Sequence, residues 1–111
     1  MKAETLKGHL DGMLLAALEA GPRHGYAVRE ALRSSTGGTV DLPTGTIYPA
    51  LHRLERAGLI AGEWTADGRR RRVYQLTDRG RRALSAERRG WSEFASAVSA
   101  TLGAQPWPTT S

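Results

Sequence analysis

Cysteine is absent from this chain, which excludes disulfides, thiolate metal sites and thiol nucleophiles. Long apolar runs are missing too. Nothing approaches the roughly 20 residues needed to span a bilayer. The opening MKAETLKGHLDG also lacks the hydrophobic region of a signal peptide. The expectation is a cytoplasmic protein without membrane contact. His9, His24 and His52 are too scattered for metal-ligand spacing. No paired carboxylates fall in a pocket-forming segment, and Gly37-Gly38 lacks the lysine and strand-loop-helix setting of a phosphate loop. These absences predict no metal, no cofactor and no catalysis.

What is present is arginine, unevenly placed. At 111 residues and 40% apolar, the chain is long enough for one globular domain and too short for two. Its formal charge is +5. Between Arg69 and Arg89 nine arginines face only two acids, Asp78 and Glu87, so the rest of the chain is slightly acidic. A basic zone on an otherwise balanced protein is the footprint of a polyanion binder. For Arg79 to Arg89 a solvated helix face explains the charge equally well. It explains four arginines at a hairpin tip poorly.

Apolar periodicity predicts helices first. From about Leu6 to Ala20, Leu10, Met13, Leu14 and Leu18 repeat at the spacing of a buried stripe, widened by Leu15 and Ala16. Gly21-Pro22 stops that helix. A second, about Gly25 to Ser34, presents Tyr26, Ala27, Ala31 and Leu32. The third is capped by Thr44 or Thr46. With Thr46 as cap, Pro49 falls in the first turn, where its missing N–H costs no bond. Ile47, Ala50, Leu51 and Leu54 then face inward.

Beyond Gly58 the pattern changes to strands, about Ile60 to Ala66 and Arg70 to Leu76, joined at the strong turn signal Asp67-Gly68. Tyr74 and Leu76 share a face, with Trp64 opposing them. A last helix, Asp78 to Leu102 with Thr77 as cap, spaces Leu84, Trp91 and Val98 by sevens. At roughly 37 Å it outreaches a domain about 25–30 Å across, so much of its seam needs a second copy of the chain. The predicted fold is mainly α with a small β-hairpin: a winged helix-turn-helix over 1–77, a dimerisation helix over 78–103, and a loose tail over 104–111.

The groove-sized helix beside an arginine-loaded hairpin points to double-stranded DNA. Thr44, Thr46, Tyr48, His52 and Arg53 are the candidate contacts on the third helix. Hydroxyls near a helix N-terminus suit phosphates, and Arg53 or His52 can reach base edges. The plain alternative makes Tyr48 a packing residue and the threonines caps. Arg69, Arg70, Arg71 and Arg72 are the candidate phosphate or minor-groove contacts, although strand alternation lets only two or three point one way. Two rival readings remain: a nonspecific architectural DNA binder and a winged-helix protein-interaction module.

The residues also resemble a known family over about Leu6 to Leu102. His24-Gly25-Tyr26 opens the second helix, and the third carries Gly45-Thr46-Ile47-Tyr48-Pro49-Ala50-Leu51-His52-Arg53-Leu54-Glu55. Gly58-Leu59-Ile60 follows, then Arg72-Val73-Tyr74-Gln75-Leu76-Thr77 leading to Gly80. This pattern resembles the PadR family of bacterial transcriptional regulators, in its short form with one C-terminal helix. The resemblance implies a homodimeric repressor on a palindromic operator, released by a small aromatic or planar apolar ligand. It implies a tryptophan of the last helix as the stacking platform. Trp91 lies in that region, with Phe94, Val98, Met13 and Leu14 as neighbours. A tryptophan on an apolar seam serves equally as a dimer-core residue. The chain departs from the family in a more polar last helix, with Arg81, Arg82, Arg88, Arg89 and an interior Gly90.

Overall fold

The computed structural model describes residues 1–66 and 71–103. The Asp67-Gly68 turn, Arg69, Arg70 and the predicted tail over 104–111 lie outside the described residues. A 3-10 turn over Ala3–Leu6 precedes α1 (Leu10–Ala17), β1 (Arg23–His24), α2 (Gly25–Ser35) and α3 (Thr44–Arg56). Then come β2 (Ile60–Trp64), β3 (Arg72–Leu76) and α4 (Asp78–Leu102). The strands form an antiparallel sheet in the order β1-β3-β2. The fold is mainly helical with a small sheet, as the periodicity predicts. The hairpin's third partner is the addition: Arg23 and His24 pair with Tyr74 and Val73. Two residues carry no alternation that a sequence could reveal.

One core joins these elements. Leu14, Leu15, Leu18, Val28, Ile47, Leu51, Leu54 and Ile60 are its largest fully buried side chains, each worth roughly 1.5–3 kcal/mol of burial. The first helix is shorter than its apolar pattern. The chain turns at Lys7-Gly8-His9, so Leu6 enters the core from the 3-10 turn instead. In α2 the inward set shifts. Gly25, Val28 and Leu32 are buried, while Tyr26 is 56% exposed under the Arg29 guanidinium, 5.6 Å from its ring centre. At about 100° per residue, Tyr26 lies roughly 200° around the helix from Val28. It cannot share that face.

The connection to α3 is held by side chains. Thr36 donates to the Leu32 carbonyl at 2.7 Å and accepts from the Val40 N–H at 2.9 Å. Arg29 donates to the Leu42 carbonyl at 2.6 Å and to Asp41 at 3.0 Å. With those polar groups satisfied, Val40 and Leu42 enter the core from a loop. Helix α3 starts at Thr44 with Pro43 at its N-cap, so neither threonine caps it through its side chain. The Pro43 carbonyl accepts from Thr46 and Ile47 at 2.9 and 3.1 Å. Pro49 is therefore interior, and the Gly45 carbonyl loses its usual i+4 donor. Ile47, Ala50, Leu51 and Leu54 are buried, as their spacing predicts.

The sheet and α4 are locked together at one corner. The Leu59 carbonyl accepts from the Thr77 N–H at 3.2 Å. The Thr77 hydroxyl donates to Gly58 at 2.7 Å and accepts from the Gly80 N–H at 3.0 Å, capping α4. A methyl at Gly80 would lie 1.9 Å from the Leu59 oxygen, so only glycine lets the helix start this close. Beyond this corner α4 buries Leu84 and little else.

Candidate nucleic-acid interface

With the inward face of α3 fixed by Ile47, Ala50, Leu51 and Leu54, the 100° step places every other residue. Gly45, Pro49, His52 and Arg56 point directly outward. Thr44 and Tyr48 occupy one flank, Thr46 and Arg53 the other. Thr44, Tyr48, His52, Arg53 and Arg56 are exposed and Thr46 is half-buried. Arg56 sits at the centre of this face yet falls outside the candidates drawn from the sequence. The helical step from Ile47 is the signal that finds it. Among the described residues it has no ion-pair partner.

Tyr48 packs within the protein and still faces solvent. Its ring lies across the N-terminus of α2, where a methyl on Gly25 would meet Cε1 at 2.3 Å, and 43% of the residue still faces solvent. This contact joins the two motifs: His24-Gly25-Tyr26 supplies the bare backbone on which the Tyr48 ring rests. Arg53 is not free either. Its guanidinium donates to the Asp11 carboxylate on α1, at an exposed contact.

The wing is divided. Thr65 and Arg71 continue the hairpin past the strand ends, the Thr65 N–H donating to the Arg71 carbonyl at 2.8 Å. Arg71 is exposed, whereas Arg69 and Arg70 lie outside the described residues. Arg72, also expected among the phosphate contacts, is engaged within the protein. It pairs with Trp64 across the hairpin, its guanidinium carbon 5.3 Å from that ring's centre, and its Nη2 donates to Glu55 on α3. The Glu55 hydrogen bond raises the Arg72 pKa further above its already high value. Buried Tyr74 lies beside this group. Desolvation, then Glu55, pushes its phenol up.

A second feature lies along α1 and α4. Trp91 and Phe94 gather around His9, with ring centres 5.3 and 6.3 Å from the imidazole. They border an open groove of about 670 Å³ lined also by Leu6, Met13 and Leu84. Met13, Trp91 and Phe94 therefore meet as the sequence suggests, but Leu14 and Val98 do not join them. Leu14 is wholly inside the core, because α1 turns its Leu14-Leu15 edge inward, and Val98 lies one turn too far along α4. Arg88, at an exposed contact, donates to both carboxylate oxygens of Glu19 at 2.6 and 2.8 Å. That pairing lowers the Glu19 pKa.

A helix-turn-helix formed by α2 and α3, followed by a β2–β3 wing, defines a winged helix-turn-helix protein. The sequence signature of the PadR-like family of transcriptional regulators matches residues 14–86. The chain belongs to that family, whose members regulate transcription and are not enzymes. It is 44% identical over 84 residues to a transcriptional regulator of Mycobacterium tuberculosis, covering 75% of this chain and 63% of that protein. The chain thus spans less than two thirds of that relative's length. A PadR family regulator from Eggerthella lenta superposes with a TM-score of 0.79 at 31% identity, over 92% of this chain and 88% of the other. Bacillus subtilis PadR, solved in complex with operator DNA, superposes with a TM-score of 0.64 at 26% identity, over 93% and 52%. Among the described residues no helix is long and apolar enough to cross a membrane.

Proposed function

We propose that this chain is a cytoplasmic, homodimeric repressor that grips a palindromic operator and releases it when a small aromatic or planar apolar ligand binds. The observation that carries the DNA reading is the outward face of α3, where His52 and Arg56 are exposed. A helix of this kind enters the major groove, with arginine to guanine the commonest specific pairing. Thr44, Thr46 and Tyr48 position the helix on the backbone, Arg53 joins them on leaving Asp11, and Arg69 to Arg71 take phosphates. The operator complex of the Bacillus subtilis relative supports this reading. The division into a reading domain over 1–77 and a dimerising helix over 78–103 accompanies it, supported by the apolar surface that α4 leaves uncovered. The His9, Trp91 and Phe94 cluster supports an aromatic effector, since offset and edge-on ring contacts suit a planar guest.

The deciding experiment titrates the protein against DNA from upstream of its own gene and against a shuffled duplex of equal length, at physiological salt. A repressor prefers its site by roughly a thousandfold or more. Equal, salt-sensitive binding to both duplexes would instead indicate an architectural binder. Binding to neither would direct attention to a protein partner.

A further inference from the structure

Arg72 is the last of four consecutive arginines, and its side chain is engaged within the protein. Its guanidinium is held on three sides. Glu55 of α3 accepts its Nη2 hydrogen bond, the Trp64 ring lies 5.3 Å from its carbon, and its Nε passes so close to Gly62 that a methyl there would be 2.8 Å away. The side chains of Arg72 and Glu55 are 30% and 22% exposed, so the pair is partly shielded from water and salt. Glu55 itself stands on the same flank of α3 as Tyr48, whose ring rests on Gly25. One flank of α3 is therefore tied to the wing through Glu55 and rests on the start of α2 through Tyr48.

An acid on a DNA-reading helix is unfavourable for binding a polyanion unless it does something else. Here it neutralises an arginine that would otherwise add to the wing's positive charge. We infer that Glu55 and Arg72 are a positioning pair that fixes the tilt of the wing against the recognition helix, and that Arg72 does not contact phosphate. This inference rests on the DNA-binding reading above.

The two accounts of these residues predict opposite signs. If Glu55 acted only through charge, Glu55→Gln would tighten DNA binding by removing a repulsion. As a positioning residue, its loss weakens binding to the preferred duplex by about tenfold, equivalent to about 1.4 kcal/mol. Arg72→Gln gives a similar loss while leaving the slope of log affinity against log salt unchanged. A lost phosphate contact would instead reduce that slope by about 0.9. The double variant is no worse than either single one, because both remove the same contact. Tighter binding by Glu55→Gln, a reduced slope for Arg72→Gln, or additive losses would each overturn the inference.

A measurement without DNA separates failure of the brace from failure of the DNA reading. Amide hydrogen exchange over Gly62 to Trp64 and Arg72 to Tyr74 accelerates by about tenfold in Glu55→Gln if the pair holds the wing. Exchange over α1 stays at the wild-type rate, which excludes general unfolding. Unchanged wing exchange would refute the brace even if the wild type bound no duplex.

Discussion

Helices α3 and α4 are both amphipathic, and they treat their apolar residues in opposite ways. In α3 the four inward residues, Ile47, Ala50, Leu51 and Leu54, are all buried within their own chain. In α4 only Leu84 among the large apolar residues is buried, while Trp91 and Phe94 are each 55% exposed and Leu102 still more. The first helix has finished its packing, so its outer face is available to a partner of different chemistry. The second presents a surface whose natural complement is another apolar surface. One helix reads outward with polar groups; the other asks to be covered.

Breaking the α3 side should have the largest effect. Leu51→Ala removes a fully buried side chain and should cost about 2–5 kcal/mol in chemical denaturation. Losing α4's exposed rings should leave the monomer folded. The double variant Trp91→Ala, Phe94→Ala should weaken self-association by at least about 2 kcal/mol, read by light scattering over a dilution series. An unchanged dimer, or a wild type that is monomeric throughout, would remove α4's seam from the assembly. Gly25→Ala, at the start of α2, sharpens the contrast, because the added methyl collides with the Tyr48 ring of α3 and leaves α4 untouched. It should cost about 1–3 kcal/mol of stability, with self-association retained when folded.

Arg56→Ala tests the outward face alone. Its thermal stability should remain within about 0.5 kcal/mol of wild type. Affinity for the preferred duplex should fall by about 1–3 kcal/mol, with less effect on a shuffled one. Equal losses on both duplexes would make Arg56 a phosphate contact. The smallest effect is expected where Arg88 ties α4 to Glu19 in the turn after α1. Hydrogen bonding to Arg88 depresses the Glu19 pKa in the folded state. The contribution is therefore full above the ordinary carboxylate pKa and is lost as pH falls through the lowered folded value. The pair is exposed, so the wild-type advantage over Glu19→Gln should be slight at neutral pH, vanish in acid and shrink in high salt. Melting temperatures across pH and salt would check both dependences.

The helices, the wing and the seam on α4 were legible because periodicity is a local property. Ile47, Ala50, Leu51 and Leu54 announce a face within eight residues. The short strand β1 was not legible, since Arg23 and His24 become a strand only when β3 arrives beside them. Tyr26, expected to face inward, lies outside because the helical step puts Val28 and Leu32 on the buried face of α2. The candidate interface was least legible in its arginines. Arg53, Arg72 and Arg88 bind acids 42, 17 and 69 residues away in sequence, so which arginines remain available depends on the completed fold. Arg56, by contrast, could have been found by rotating α3 until its apolar residues faced inward.

The corner at Leu59, Thr77 and Gly80 has a mechanical consequence. Because three backbone and hydroxyl bonds fasten the first turn of α4 to the base of the wing, the reading head and that turn move as one piece. In a dimer joined through the distal part of α4, the helix is then a lever arm of roughly 37 Å. A tilt of about 5° at its far end would carry the reading head sideways by roughly 3 Å over that length. Two such arms would work as calipers on the duplex, their opening set where the helices cross and felt where the bases are read.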